Sequence, residues 1–163
     1  MVTQSNKSLS SCPFTSGGGF ALYEHIPSYQ MKHVLGYLES IDNTAFAPMA
    51  GYSRKRRGYP DITLHGFNHL TLSGTNNELT SGTSVSASVM ANMISDLNAA
   101  RMKIGKGSVG FINPALYANS KEFVKDITSG NTKCLSSGKC CSEGFSAVTG
   151  WDPASGLGSL NYG

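Results

Sequence analysis

The chain has 163 residues, enough for one domain with a substantial buried core. Only 14% of its residues are charged, against roughly 25% in ordinary globular chains, so a disordered, solvating chain is excluded. The formal net charge is +3, and no apolar run approaches the ~18 residues of a membrane span.

Residues 1–15 read as an irregular, polar lead-in that lacks the apolar segment of a signal peptide. It carries Cys12 and an acceptor-like triplet for N-glycosylation, Asn6-Lys7-Ser8. Ser16-Gly17-Gly18-Gly19-Phe20 is a permissive backbone segment. From Pro27 to Ser40, Tyr29, His33 and Tyr37 recur at helical spacing beside Val34 and Leu38, which predicts a helix begun by Pro27.

Residues 41–58 read as a loop. Most of the basic excess falls in it, in Arg54-Lys55-Arg56-Arg57 between Gly51 and Gly58, and reads as a solvated run. No aromatic residues interleave with it, so nucleic acid is not an expected partner. Tyr59 to Leu64 and Leu70 to Leu72 are candidate short strands, paired as a hairpin or crossing as neighbours, with a turn over Gly74 to Asn77. Val85 to Lys103 is the clearest helix. Val85, Val89, Met93 and Leu97 step by four, and a stripe of that length predicts a buried helix ended by Gly105 and Gly107. Phe111 to Tyr117 reads as a turn into a short helix, and Phe123 to Ile127 as a short strand or bend. The tail, Gly130 to Gly163, has no period and reads as a loop held by crosslinks or a metal.

The four cysteines are Cys12, Cys134, Cys140 and Cys141, and they allow three fully paired connectivities. No C-x-x-C pair or nearby His supports zinc, so disulfides in an oxidising compartment are expected. Disulfides without a signal peptide imply a natural protein longer than this chain.

Ser81-Gly82-Thr83-Ser84 opens the long helix. A glycine approach and a helix start expose a hydroxyl beside unpaired N–H groups, the setting of a serine nucleophile at Ser84. Such a hydroxyl needs a base. The four histidines, His25, His33, His65 and His69, are poorly placed along the chain to be one. His65 and His69 would share a metal only on a helix, which Gly66 and the β pattern oppose. Asp126-Ile127 and Gly150-Trp151-Asp152 combine two carboxylates with glycine-bearing backbone, a combination that suits Ca²⁺ or plain Asx turns.

Seven segments in order carry a family resemblance: Ser16 to Phe20, Pro27 to Gln30, Arg57 to Asp61, Ser81 to Ser86, Gly110 to Tyr117, Asp126 to Gly130, and Gly150 to Pro153 with Gly156 to Gly158. Together they resemble the C-terminal part of the sedolisin, or serine-carboxyl, peptidases, over about residues 16–160. The resemblance implies an α/β fold, the C-terminal part of a subtilisin-like parallel sheet with flanking helices and a loop-rich calcium-binding tail. Residues 1–163 are then a partial peptidase domain, with 1–15 as lead-in and 130–163 as the calcium- and cysteine-rich tail.

It further implies that Ser84 is the nucleophile of an acid peptidase acting on peptides or unfolded proteins, in lysosomes or outside the cell. The family's base is a Glu supported by an Asp, with a protonated Asp at the oxyanion. A carboxylate still accepts a proton where histidine is already charged. Those acids lie upstream of the Ser-Gly-Gly-Gly segment in the family, and residues 1–15 hold no Asp or Glu. The missing N-terminal part of the domain is therefore an expected partner, and Asp61 is expected to be a structural hydrogen-bond acceptor. The calcium ligands carry over as Asp126, Ile127, Val148, Gly150 and Asp152. Ser88 replaces the family's usual Pro. Two other readings compete: a non-catalytic pseudoenzyme or calcium-stabilised binding module of the same fold, and a subtilase using one of the four histidines.

Overall fold

A computed structural model describes residues 15–42, 44, 48, 51–134 and 139–161. Cys12 and the triplet at Asn6 lie outside the described residues.

Strand β1 (Gly19–His25) leads into helix α1 (Ser28–Ile41), and then β2 (Arg56–Tyr59) returns antiparallel to β1. Helix α1 forms where its period requires. Extended Pro27 precedes it, and Val34, Tyr37, Leu38 and Ile41 fall on one face and are buried. Complete burial of one such side chain contributes about 1.5–3 kcal/mol. The basic run is not the solvated loop expected: Arg56 and Arg57 belong to β2, and Arg54 and Arg57 pair with Asp42 and Asp61.

A hairpin follows, of β3 (His69–Ser73) and β4 (Asn76–Thr80), in register from His69↔Thr80 to Ser73↔Asn76. The expected strand at Leu70 therefore pairs forward with a polar segment and not back with Tyr59 to Leu64. Helix α2 (Thr83–Lys103) comes next, then α3 (Asn113–Ala118), α4 (Ser120–Phe123), β5 (Val124–Lys125) and β6 (Ser159–Leu160).

Two expectations are corrected. The sheets among the described residues are three two-stranded antiparallel pairs, and not a parallel sheet. One parallel contact remains, the bridge Thr63↔Ser159, where Thr63 N–H donates to the Gly158 carbonyl at 2.9 Å. Parallel strands take neighbours from distant chain segments, and among the described residues this pair has none to extend it. Second, α2 is not a buried helix: none of its residues is buried, and Leu97 and Met102 stand 47% and 63% exposed. Its apolar stripe is real, but among the described residues no helix or strand packs closely on it.

The core lies elsewhere. Phe20, Val34, Tyr37, Leu38, Ile41, Tyr117, Trp151 and Leu157 form one buried cluster. The tail that reads as an aperiodic loop supplies its centre, with Trp151 to Gly158 buried throughout. Tyr37 meets Trp151 edge-on at 5.7 Å, and Phe20 stacks on Tyr52 at 5.1 Å. Gly58 makes this possible, because a Cβ there would sit 2.2 Å from the Trp151 ring.

Candidate functional site

Ser84 sits in the first turn of α2, two residues after Gly82, whose φ of +155° favours glycine. The local anchor is backbone: Gly82 N–H donates to the Gly66 carbonyl at 2.7 Å, and Ser86 Oγ donates to the Leu64 carbonyl at 3.0 Å. These bonds hold the start of α2 against the 64–66 segment and leave the Ser84 side chain exposed. Ser88, at the family's proline position, donates to the Ser84 carbonyl at 3.0 Å. No Asp, Glu or His side chain among the described residues hydrogen-bonds the Ser84 hydroxyl. His69 Nε2 bonds the His65 carbonyl at 2.8 Å, and those two rings lie 5.3 Å apart.

Two grooves run along α2. One of about 430 Å³ lies between Thr83, Ser86 and Met90 of the helix and Tyr59, Ile62 and Leu64. The other, about 780 Å³, continues past Met90 and Ile94 to Phe111 and Leu116. Met90 lines both, joined by Ala87 in the first and by Ala91 and Ile94 in the second.

The five residues that the resemblance assigns to calcium come together. Asp126 accepts the Gly150 N–H at 2.8 Å, and Asp152 accepts the Val148 N–H at 3.0 Å. Ser155 Oγ bridges Asp152 at 3.1 Å and the Ile127 carbonyl at 3.4 Å. Asp152 also accepts the N–H groups of Ala154 and Ser155, at 2.9 and 2.8 Å. It is fully buried, and burial lifts its carboxyl to about 6, while the N–H and hydroxyl donors pull the other way. No Lys, Arg or His pairs with it among the described residues. The two carboxylates and the Ile127 carbonyl are oxygen donors of the kind a hard cation takes, although here both Asp152 oxygens accept from Val148, Ala154 and Ser155, and Val148 and Gly150 meet the carboxylates through their N–H groups.

A second buried network joins the family segments. Gln30 is fully buried. Its Nε2 donates to the Gly58 carbonyl at 2.8 Å and the Tyr117 Oη at 2.7 Å, and Gly58 N–H donates back to its Oε1 at 3.0 Å. Tyr117 Oη donates to Asp61 at 2.9 Å, and Arg57 pairs with Asp61 at 2.6 Å. Asp61 is thus the structural acceptor expected, and Gln30 is a residue that periodicity overlooks.

No family model matches the chain. Across about 90% of its length, its homologues are tripeptidyl-peptidases and other sedolisins. The chain is therefore related to the sedolisin family of serine peptidases. It is 38% identical to tripeptidyl-peptidase sed1 of Aspergillus fumigatus over 91% of this chain and 24% of that protein. Aorsin of Aspergillus oryzae is 38% identical over 91% of this chain and 23% of its own length. Tripeptidyl-peptidase 1 of Dictyostelium discoideum is 33% identical over 90% of this chain. Among solved structures, Pseudomonas sedolisin in complex with pseudo-iodotyrostatin superposes with a TM-score of 0.64 and 27% identity, over 88% of this chain and 33% of that one. The chain spans about a quarter of the length of the curated relatives it matches.

Proposed function

We propose that this chain is the nucleophile-bearing, C-terminal part of a sedolisin-type acid peptidase. Ser84 attacks the carbonyl of a peptide bond and becomes acylated. Its proton passes to a carboxylate delivered by the N-terminal part of the same domain, and water then releases the acyl group. The first N–H groups of α2 lack intrahelical acceptors and favour a negative charge developing on an oxygen held beside them. Peptides or unfolded proteins are the substrates. Asp126 and Asp152, with the carbonyls of Ile127, Val148 and Gly150, hold Ca²⁺, which fixes the tail beneath the core. The Cys134–Cys140 disulfide suits an oxidising compartment, lysosomal or extracellular.

One observation carries the reading: an exposed serine in the first turn of a long helix, behind a positive-φ glycine, in a chain whose relatives are tripeptidyl-peptidases. The test joins the preceding part of tripeptidyl-peptidase sed1 to this chain. The chimera should release tripeptides at acid pH, and Ser84→Ala should lower kcat by about 1,000-fold or more. The chain alone should cleave nothing. A second reading, a non-catalytic module of the same fold, is favoured by the absence of any acid or imidazole bonded to Ser84 among the described residues. A folded chimera that binds peptides without cleaving them would select it.

A further inference from the structure

We propose that the cavity between helix α1 and the α3–α4 corner binds a phosphate or sulfate ester of a sugar-sized molecule, and binds it more tightly in acid. The inference is independent of the peptidase reading, because it uses none of the residues named there. The cavity holds about 480 Å³, the size of a small-molecule site. Lys32 and His33 line it from α1, and Ser120, Lys121 and Glu122 line it from α4.

Hydrogen bonds fix this frame. His33 Nε2 bonds the Tyr117 carbonyl at 3.1 Å, which holds α1 to α3. The Asn119 carbonyl accepts the N–H groups of Glu122 and Phe123 at 3.0 and 3.3 Å. Asn119 Nδ2 donates to the Ala115 carbonyl at 2.9 Å, so α4 leaves α3 at a set corner.

Charge selects the ligand. Neither Lys32 nor Lys121 forms an ion pair among the described residues, and Glu122 is the one carboxylate among the described lining residues. Tyr29 and Tyr117 are the other titratable groups on the wall, and the Tyr117 hydroxyl is already bonded to Gln30 and Asp61. A carbonyl only accepts, so the Nε2 of His33 carries the ring proton, and Nδ1 gains one only when the ring is cationic. Acid therefore adds a third cationic donor beside the two ammonium groups and the Ser120 hydroxyl. Donors on two separate helices suit a tetrahedral oxyanion, which accepts in every direction, better than a planar carboxylate. Tyr29 and Pro114 supply ring surface for the attached sugar.

The pH dependence has a definite sign. Burial lowers the His33 pKa from 6.5, the Tyr117 carbonyl opposes, and Lys32 adds to the lowering. An anion seated by Lys32 offsets that repulsion and raises the His33 pKa, so its affinity rises as pH falls below about 6.5.

The test titrates the full chain with glucose 6-phosphate and glucose 6-sulfate by calorimetry, at one low ionic strength. Saturable binding is expected below about 10 mM. Lys32→Ala and Lys121→Ala should each weaken it about 3-fold or more, and Glu122→Gln should strengthen it. Between about pH 7.5 and pH 5.5, glucose 6-sulfate keeps its charge and should gain about 3-fold or more in affinity, in wild type and in Glu122→Gln alike. His33→Gln keeps a donor for the Tyr117 carbonyl and should remove the gain. Whichever ester binds tighter identifies the source of the oxyanion. No saturable binding of either ester, equal binding of glucose or glucuronate, unchanged affinity in both lysine variants, or a gain that survives His33→Gln would each overturn the proposal.

Discussion

Gln30 illustrates how much one buried amide can hold. Its carboxamide satisfies both backbone groups of Gly58 and meets the Tyr117 hydroxyl. Gln30→Leu would fill similar space but take from Gly58 N–H its Gln30 acceptor and leave its carbonyl only the longer bond from Arg57 Nη1, at 3.3 Å. A buried polar group left unpaired costs about 1–3 kcal/mol, so the variant should lose about 1–3 kcal/mol in urea unfolding of the full chain. A loss under about 0.5 kcal/mol would mean the network is ornamental. His33, on the same helix, adds a pH dependence. Burial lowers its pKa from 6.5, with Lys32 acting the same way, while its bond to the Tyr117 carbonyl opposes them. A lowered folded-state pKa means the fold prefers the neutral ring. That stabilisation is present above about pH 6.5 and is lost as pH falls from there toward the folded-state value. His33→Gln should therefore flatten the fall in urea midpoint below about pH 6.5, and an unchanged slope would assign the loss to other groups.

Among the elements, the hairpin and α2 share one property, exposed apolar side chains. Leu70, Leu72 and Leu79 share one face of the hairpin and are 71%, 73% and 67% exposed. The isolated chain should self-associate through such surface. Leu70→Ser with Leu72→Ser should reduce that association in light scattering, and unchanged scattering would point to α2 instead. The legibility of each element follows from the same physics. Helix α1 is plain in the sequence because its stripe and its burial coincide. The stripe of α2 is equally plain, yet the helix is exposed, because periodicity reports the face that seeks a partner and not the partner's presence. Strand β4 escapes because Asn76, Asn77, Glu78 and Thr80 are polar, and its pairing is set by the turn at Gly74. The segment from Trp151 to Gly158 reads as loop because its burial comes from close backbone approach, which leaves no period.

At the scale of the molecule, Ser84 is visible from its local signature, while the Asp126 and Asp152 pair reads from the residues alone as either a Ca²⁺ site or plain Asx turns, and only the family resemblance supplies the five-residue ligand set. The two carboxylates are 26 residues apart, and tail folding joins them. A cation held there links the β5 end to the core. Chelation should lower the melting temperature by about 5–10 °C, as expected for loss of about 2.7 kcal/mol of ligand stabilisation in a chain of this size. Asp152→Asn should abolish the response to calcium, and a response that survives would place the cation elsewhere. The chain spans about a quarter of its relatives' length, and among its described residues α2 buries none of its side chains.

The most direct measurement is covalent capture of the nucleophile in the chimera with the sed1 portion. At acid pH, a serine-directed peptide inactivator should add one equivalent of mass, and tryptic mapping should put the adduct on Ser84, with none in Ser84→Ala. An adduct on any other residue, or full peptidase activity in Ser84→Ala, would contradict Ser84 as the nucleophile.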